Sequence, residues 1–127
     1  VLEHVADDRL ALRNIHKALC PGGRAVILTP HGQEIFGALD EALGHYRRYS
    51  HDGLRAAMED TGFRVERILD FNRISRPAWY LNGRLLKRRK IGGLQLRMFD
   101  RTVGVWRKAD GWLPWAPTSI IAIAEKR

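Results

Sequence analysis

Leu19-Cys20-Pro21-Gly22-Gly23-Arg24-Ala25-Val26-Ile27-Leu28 decides how the rest of the chain reads. Pro21-Gly22-Gly23 ends whatever helix precedes it and turns the chain. The apolar run Ala25–Leu28 is too short for a helix. With no polar position inside it, the run predicts a strand buried on both faces, as parallel sheets require. Upstream, Asp7 and Asp8 suit the positive end of a helix over 7–19, with Leu12, Ile15 and Leu19 on one side. Helix, turn and apolar strand together form one unit of a layered α/β sheet.

Downstream the alternation continues. A second helix is predicted over 34–43, with Phe36, Leu39 and Leu43 on one side, and a polar-aromatic loop, 44–49, follows it. Ser50 is a good N-cap for a helix carrying Leu54, Ala57 and Met58, which closes at Gly62. Phe63 to Phe71 reads as the next strand. From Ile74 the character changes. Pro77 suits the first turn of one helix, and Leu96, Phe99, Val103 and Trp106 mark the apolar stripe of another, with Arg97, Arg101 and Lys108 elsewhere on its surface. Gly92-Gly93 separates the two. Pro114 and Pro117 break the chain before a final apolar strand, Ile120–Ala124. The predicted class is α/β, with three layers. Residues 1–72 and 116–127 form the sheet core, and 73–115 form a basic, Trp-rich helical insert between the last two strands. Such a three-stranded sheet is left with an apolar edge, which predicts further strands from an upstream half or from a completing chain.

The composition, 45% apolar and 28% charged over 127 residues, fits one globular domain with a modest core. No apolar stretch is long enough to span a bilayer, and no secretory signal is read. The single cysteine, Cys20, excludes an internal disulfide and a thiolate zinc site. It is expected to be a small packing residue in a reducing compartment, the cytoplasm. The net charge is +8, and eleven of the 22 Lys and Arg fall between Arg73 and Lys108, against one acid, Asp100. That asymmetry predicts an anionic partner. With Trp79, Tyr80, Trp106, Trp112 and Trp115 interleaved, the insert suits peripheral contact with an anionic membrane at its inner face, and a lipid-linked substrate. The competing reading is an amphipathic helix pair packed on its own domain with a solvated basic face. Nucleic-acid binding or a protein-interaction module is the alternative of another class, but no recognised nucleic-acid signature is present.

Val1-Leu2-Glu3-His4-Val5, then Leu19-Cys20-Pro21-Gly22-Gly23 and an apolar strand, resembles class I S-adenosylmethionine-dependent methyltransferases of type 11/12. Gly44-His45-Tyr46-Arg47-Arg48-Tyr49-Ser50, before a helix ending Thr61-Gly62-Phe63, is similar to another segment of that family. The resemblance runs from residue 1 to about 70 and resumes at Ser119–Ala124. It implies the C-terminal half of a Rossmann-like seven-stranded sheet: the end of strand four, then strands five, six and seven, with the seventh antiparallel between the other two. It also implies methyl transfer from S-adenosylmethionine to a small-molecule or lipid-like acceptor. The family's Gly-rich cofactor loop has no counterpart here, so the chain alone is expected to bind the cofactor weakly and to be inactive.

The resemblance puts Leu2, Glu3 and His4 on the loop that faces cofactor and methyl group. His4 is the first candidate for a general base, because imidazole titrates near neutral pH; its alternative is a helix-capping role. His31 sits just after a strand, at the end where ligands bind in open α/β sheets, and His45 is a further catalytic candidate. Tyr46, Arg47, Arg48, Tyr49, Trp79 and Tyr80 are candidate substrate contacts. For the 45–49 cluster the alternative is loop anchoring, with one Arg paired to a carboxylate and one Tyr packed inward. His16 and His51 are expected on the surface. No metal site is predicted, since no pair of histidines has the spacing of a local metal motif.

Overall fold

The computed structural model describes all 127 residues, Val1–Arg127. A 3-10 turn, Leu2–His4, precedes helix α1 (Asp8–Ala18), strand β1 (Arg24–Pro30) and a second 3-10 turn, Gln33–Ile35. Helices α2 (Ala38–Leu43) and α3 (His51–Glu59) lead to strand β2 (Phe63–Phe71). The insert holds α4 (Arg76–Trp79), a π-helical turn (Tyr80–Leu85), α5 (Gly93–Ala109) and a 3-10 turn, Asp110–Trp112. Strand β3 (Ser119–Lys126) closes the chain.

The sheet order is β1-β3-β2, and β3 runs antiparallel to both neighbours. The last strand therefore enters between two strands that are parallel to each other, as the resemblance implied. Register places Ala25 opposite Ala124 and Ile27 opposite Ala122 on one side, with Val65 opposite Ala124 on the other. These residues, with Ile120 and Phe63, point to one face, where Leu12 of α1 and Leu54, Ala57 and Met58 of α3 pack against them. Asp7 caps α1 by accepting from the Leu10 N–H, and Ser50 caps α3 by accepting from the Gly53 N–H. Both caps satisfy donors that a helix start otherwise leaves unpaired.

Three expectations need correction. The strand predicted to be buried on both faces is covered on one: Val26 is 68% exposed and Leu28 is 50% exposed. Within this chain α1 and α3 pack on the same side, and the other face meets only the insert, beside Leu28 and Pro30. The helix predicted over 34–43 is split at Phe36-Gly37, because Gly37 is extended and a Cβ there would stand 2.6 Å from the Gly83 carbonyl oxygen. Cys20 is exposed, in the turn beyond α1, rather than packed. No helix is long and apolar enough to cross a membrane.

Candidate active site

The site is assembled where the first turn, the 44–49 loop and the insert meet. Leu2 is buried in the core and anchors the Leu2–His4 turn, which leaves Glu3 and His4 at its surface. The Tyr46 N–H donates to the Glu3 carbonyl at 2.6 Å. Arg47 donates to the carbonyls of Val5 and Ala6, at 3.0 and 2.8 Å, and pairs with Asp8 at 3.2 Å. The 44–49 loop is thus stitched to the chain's first eight residues. Gly44 makes the approach geometrically feasible: its φ of 74° turns the chain at the end of α2, a conformation glycine adopts without steric cost.

Asp40 is the hub beneath this loop. Its carboxylate is fully buried, accepting from His45 Nδ1 and Arg48 Nη1, each at 2.8 Å, and from the Gly37 N–H and Trp79 Nε1, each at 3.2 Å. A buried carboxylate is tolerated only when paired and bonded in this way. Arg48 also donates to the carbonyls of His31 and Thr118, at 2.9 and 2.8 Å, and lies over the Trp79 ring. Burial pushes its guanidinium below the usual arginine value, against the pull of Asp40. Arg48 and Asp40 therefore tie α2, the loop, β3 and the insert to one another.

Above the hub, His45 keeps Nδ1 on Asp40 and stands edge-on to His4, with ring centroids 4.8 Å apart. His4 Nδ1 is 3.3 Å from the Gly44 carbonyl, and its Nε2 is 3.6 Å from Glu3 Oε1.

Glu3 and His45 line a cavity of about 330 Å³ together with Leu28 and Pro30 of β1, Ile74, Trp79 and Leu96 and Phe99 of α5, with Asn72, Ser75, Gln95 and Thr118 among them. Glu3 is the only carboxylate in that lining. A second hollow, of about 530 Å³, adjoins it along α5 and shares Asn72, Ile74 and Phe99, then continues over Val103 and Trp106. The predicted apolar stripe of α5 thus lines these hollows.

A methyltransferase domain family matches residues 1–68. The chain belongs to that methyltransferase family. Among solved structures it is similar to an S-adenosylmethionine-dependent methyltransferase from Mesorhizobium loti, with a TM-score of 0.59 and 16% sequence identity. That match covers 99% of this chain and 58% of the other, so the methyltransferase fold here spans little more than half of that structure's length. No curated protein sequence matches significantly.

Of the candidate residues, the fold brings Glu3, His4 and His45 together, with Trp79 and Arg48 lining the same cavity. Arg47, Arg48 and Tyr49 make loop-anchoring bonds; the Tyr49 hydroxyl donates to Asp8 at 2.8 Å. Tyr46 is 60% exposed with Arg47 over its ring, and Tyr80 is 41% exposed outside the cavity. His31 stands elsewhere, edge-on to His51 with Nδ1 on the Tyr49 carbonyl, and burial lowers its pKa. Asp40, Ile74 and Phe99 carry no site signal in the sequence. Asp40 looks like any helical acid in the sequence; its one distinguishing signal is its place beside Leu39 on the inward side of α2.

Proposed function

We propose that the chain forms the acceptor side of a methyl-transfer site and that the acceptor is amphipathic. One observation carries this reading: the cavity that holds Glu3 and the Asp40-held His45 is also lined by Leu28, Ile74, Trp79, Leu96 and Phe99, and the second hollow carries it on along α5 past Val103 and Trp106. An acceptor with a polar group at the histidines and an apolar portion against α5 fits that mixed lining.

S-adenosylmethionine, the donor that the family implies, supplies a methyl group on a cationic sulfonium. The turn Leu2–His4 fits one edge of such a molecule: the Leu2 side chain is committed to the core, and the Glu3 carboxylate offers a negative charge at the cavity wall. The adenosine end is not assigned to residues of this chain. The His4–His45 pair orients the acceptor's nucleophilic atom and takes up its proton. Asp40 fixes the His45 tautomer with Nδ1 occupied, leaving the other ring nitrogen for that role. Trp79, whose indole N–H is held by Asp40, lines the cavity beside His45. The exposed face of α5 rests on an anionic membrane surface that supplies the acceptor.

The test is radiolabelled methyl transfer by the complete gene product, with acceptors of matched head group and differing chain length. His45→Ala is expected to lower kcat by roughly 10²–10⁴-fold, the usual range for a lost general base. Phe99→Ala is expected to raise KM for the long-chain acceptor only. Full kcat in both His45→Ala and His4→Ala would overturn the assignment.

A further inference from the structure

Glu3, His4 and His45 present one ligating atom each, all within 4.8 Å of one another. Two imidazoles and one carboxylate form a common donor set for first-row divalent cations. Proximity alone would be weak, because charged surface groups often cluster. What distinguishes this trio is how each ring is held from behind.

His45 Nδ1 lies 2.8 Å from the buried Asp40 carboxylate, which fixes the proton on that nitrogen and leaves Nε2 with a free lone pair. His4 Nδ1 lies 3.3 Å from the Gly44 carbonyl, an acceptor only, so its proton also belongs on Nδ1. Its Nε2 lies 3.6 Å from Glu3 Oε1. With each Nδ1 occupied from behind, the two far ring nitrogens and a carboxylate oxygen are the donor atoms left at the front of the trio, a place that a divalent cation fills in competition with a proton. Histidine ligands of metals are characteristically held in this way, with the far nitrogen donating to a carboxylate or a backbone carbonyl.

We propose that Glu3, His4 and His45 form a binding site for a first-row divalent cation of the zinc, manganese or cobalt type. Two nitrogen ligands disfavour magnesium and calcium, which take oxygen. Bonds of about 2.0–2.2 Å require the ligands to draw closer; His4, whose side chain is 46% exposed, has the freedom to do so. Three protein ligands leave coordination positions open, and Glu3 and His45 line the cavity, so those positions face the acceptor. An acceptor hydroxyl bound there would be more acidic and would give up its proton to bulk water, which would replace direct proton removal by imidazole. That catalytic consequence rests on the methyl-transfer reading above. Cation binding does not, and it is measured without cofactor or acceptor.

The experiment is calorimetric titration of the metal-free protein with Zn²⁺ and with Co²⁺, together with visible absorption of the Co²⁺ form. A single site is expected, with ligand-field bands in the Co²⁺ spectrum. His45→Ala and His4→Ala should abolish it. Asp40→Asn should weaken affinity about 10- to 100-fold, the usual effect of losing a partner behind a ligating histidine. His51→Ala, in the separate His31–His51 pair, should leave it unchanged. Should the variants misfold, ring resonances of the unmodified protein decide: Zn²⁺ is expected to shift those of His4 and His45 and to spare those of His31 and His51. Absence of binding, shifts confined to His31 and His51, or binding kept in a folded His4→Ala, His45→Ala double variant would overturn the proposal.

Discussion

Tyr49 shows how a side chain can be tied to the site without lining its cavity. Its ring is 5% exposed and its hydroxyl donates to Asp8, which also pairs with Arg47. Burial pushes the phenol pKa from about 10 up to about 12, aided by the Asp8 acceptor and opposed by Arg47. The protonated phenol is thus favoured in the folded state, and its stabilisation is fully present below the unfolded value. It is lost as pH rises through the folded one. The urea midpoint should therefore fall between pH 10 and 12, and Tyr49→Phe should flatten that part of the curve. At neutral pH the variant should cost about 1 kcal/mol for the lost hydrogen bond. An identical alkaline slope in both proteins would remove Tyr49 as the source. At this scale the sequence was legible in residue type but not in role. The Gly44–Tyr49 cluster reads as a site because it is polar and aromatic, yet Arg47, Arg48 and Tyr49 point their polar atoms at backbone carbonyls and at Asp8 and Asp40. Only partners that lie up to 70 positions away reveal this, as Arg48 and Thr118 do.

Elements were more legible than side chains, because each carries its own punctuation. Pro21-Gly22-Gly23, the Ser50 cap and the Pro77 start all mark real boundaries. The predicted 34–43 helix is the instructive difference. Its apolar spacing continues through Phe36-Gly37, but α2 approaches the π-helical turn so closely that residue 37 has no room for a side chain. Nothing local announces a contact with residue 83. Gly37→Ala should therefore lift α2 from the insert and cost about 1–3 kcal/mol, as overpacking does. Chemical denaturation would measure it, and the Trp79 indole N–H resonance should move as its bond to Asp40 is disturbed. Gly104, inside α5 with nothing within 4 Å of a built Cβ, sets the contrast. Gly104→Ala should stabilise by about 0.5–1 kcal/mol, because only the backbone term remains. Equal effects at the two positions would mean that the close approach of α2 carries no energetic weight.

Across the whole molecule, charge and apolar surface converge on α5, a helix of 17 residues with none buried. Its inner stripe, Leu96, Phe99, Val103 and Trp106, faces the hollows. A second stripe lies opposite: Leu94 is 75% exposed, Met98 62% and Val105 66%, and Trp112 just beyond the helix is 91% exposed. Helical spacing sets Arg101 and Lys108 among them, and Lys87 to Lys90 stand exposed just before the helix. The sequence discloses the inner stripe but not the outer one, since a helix apolar on two sides has no single periodic signal. Four exposed large apolar groups bordered by cations are what a helix lying on an anionic interface requires. Water alone gives such a face no stabilisation. Co-sedimentation with vesicles should therefore show binding to anionic lipid, little binding to neutral lipid, and release as salt rises. Trp112→Ser with Met98→Ser should weaken the anionic binding without changing the urea midpoint, because neither side chain is buried in the fold. Equal and negligible binding to both vesicle types would remove the membrane. The acceptor would then have to reach the cavity from solution, and the apolar hollow under α5 would be expected to take a shorter, water-soluble molecule.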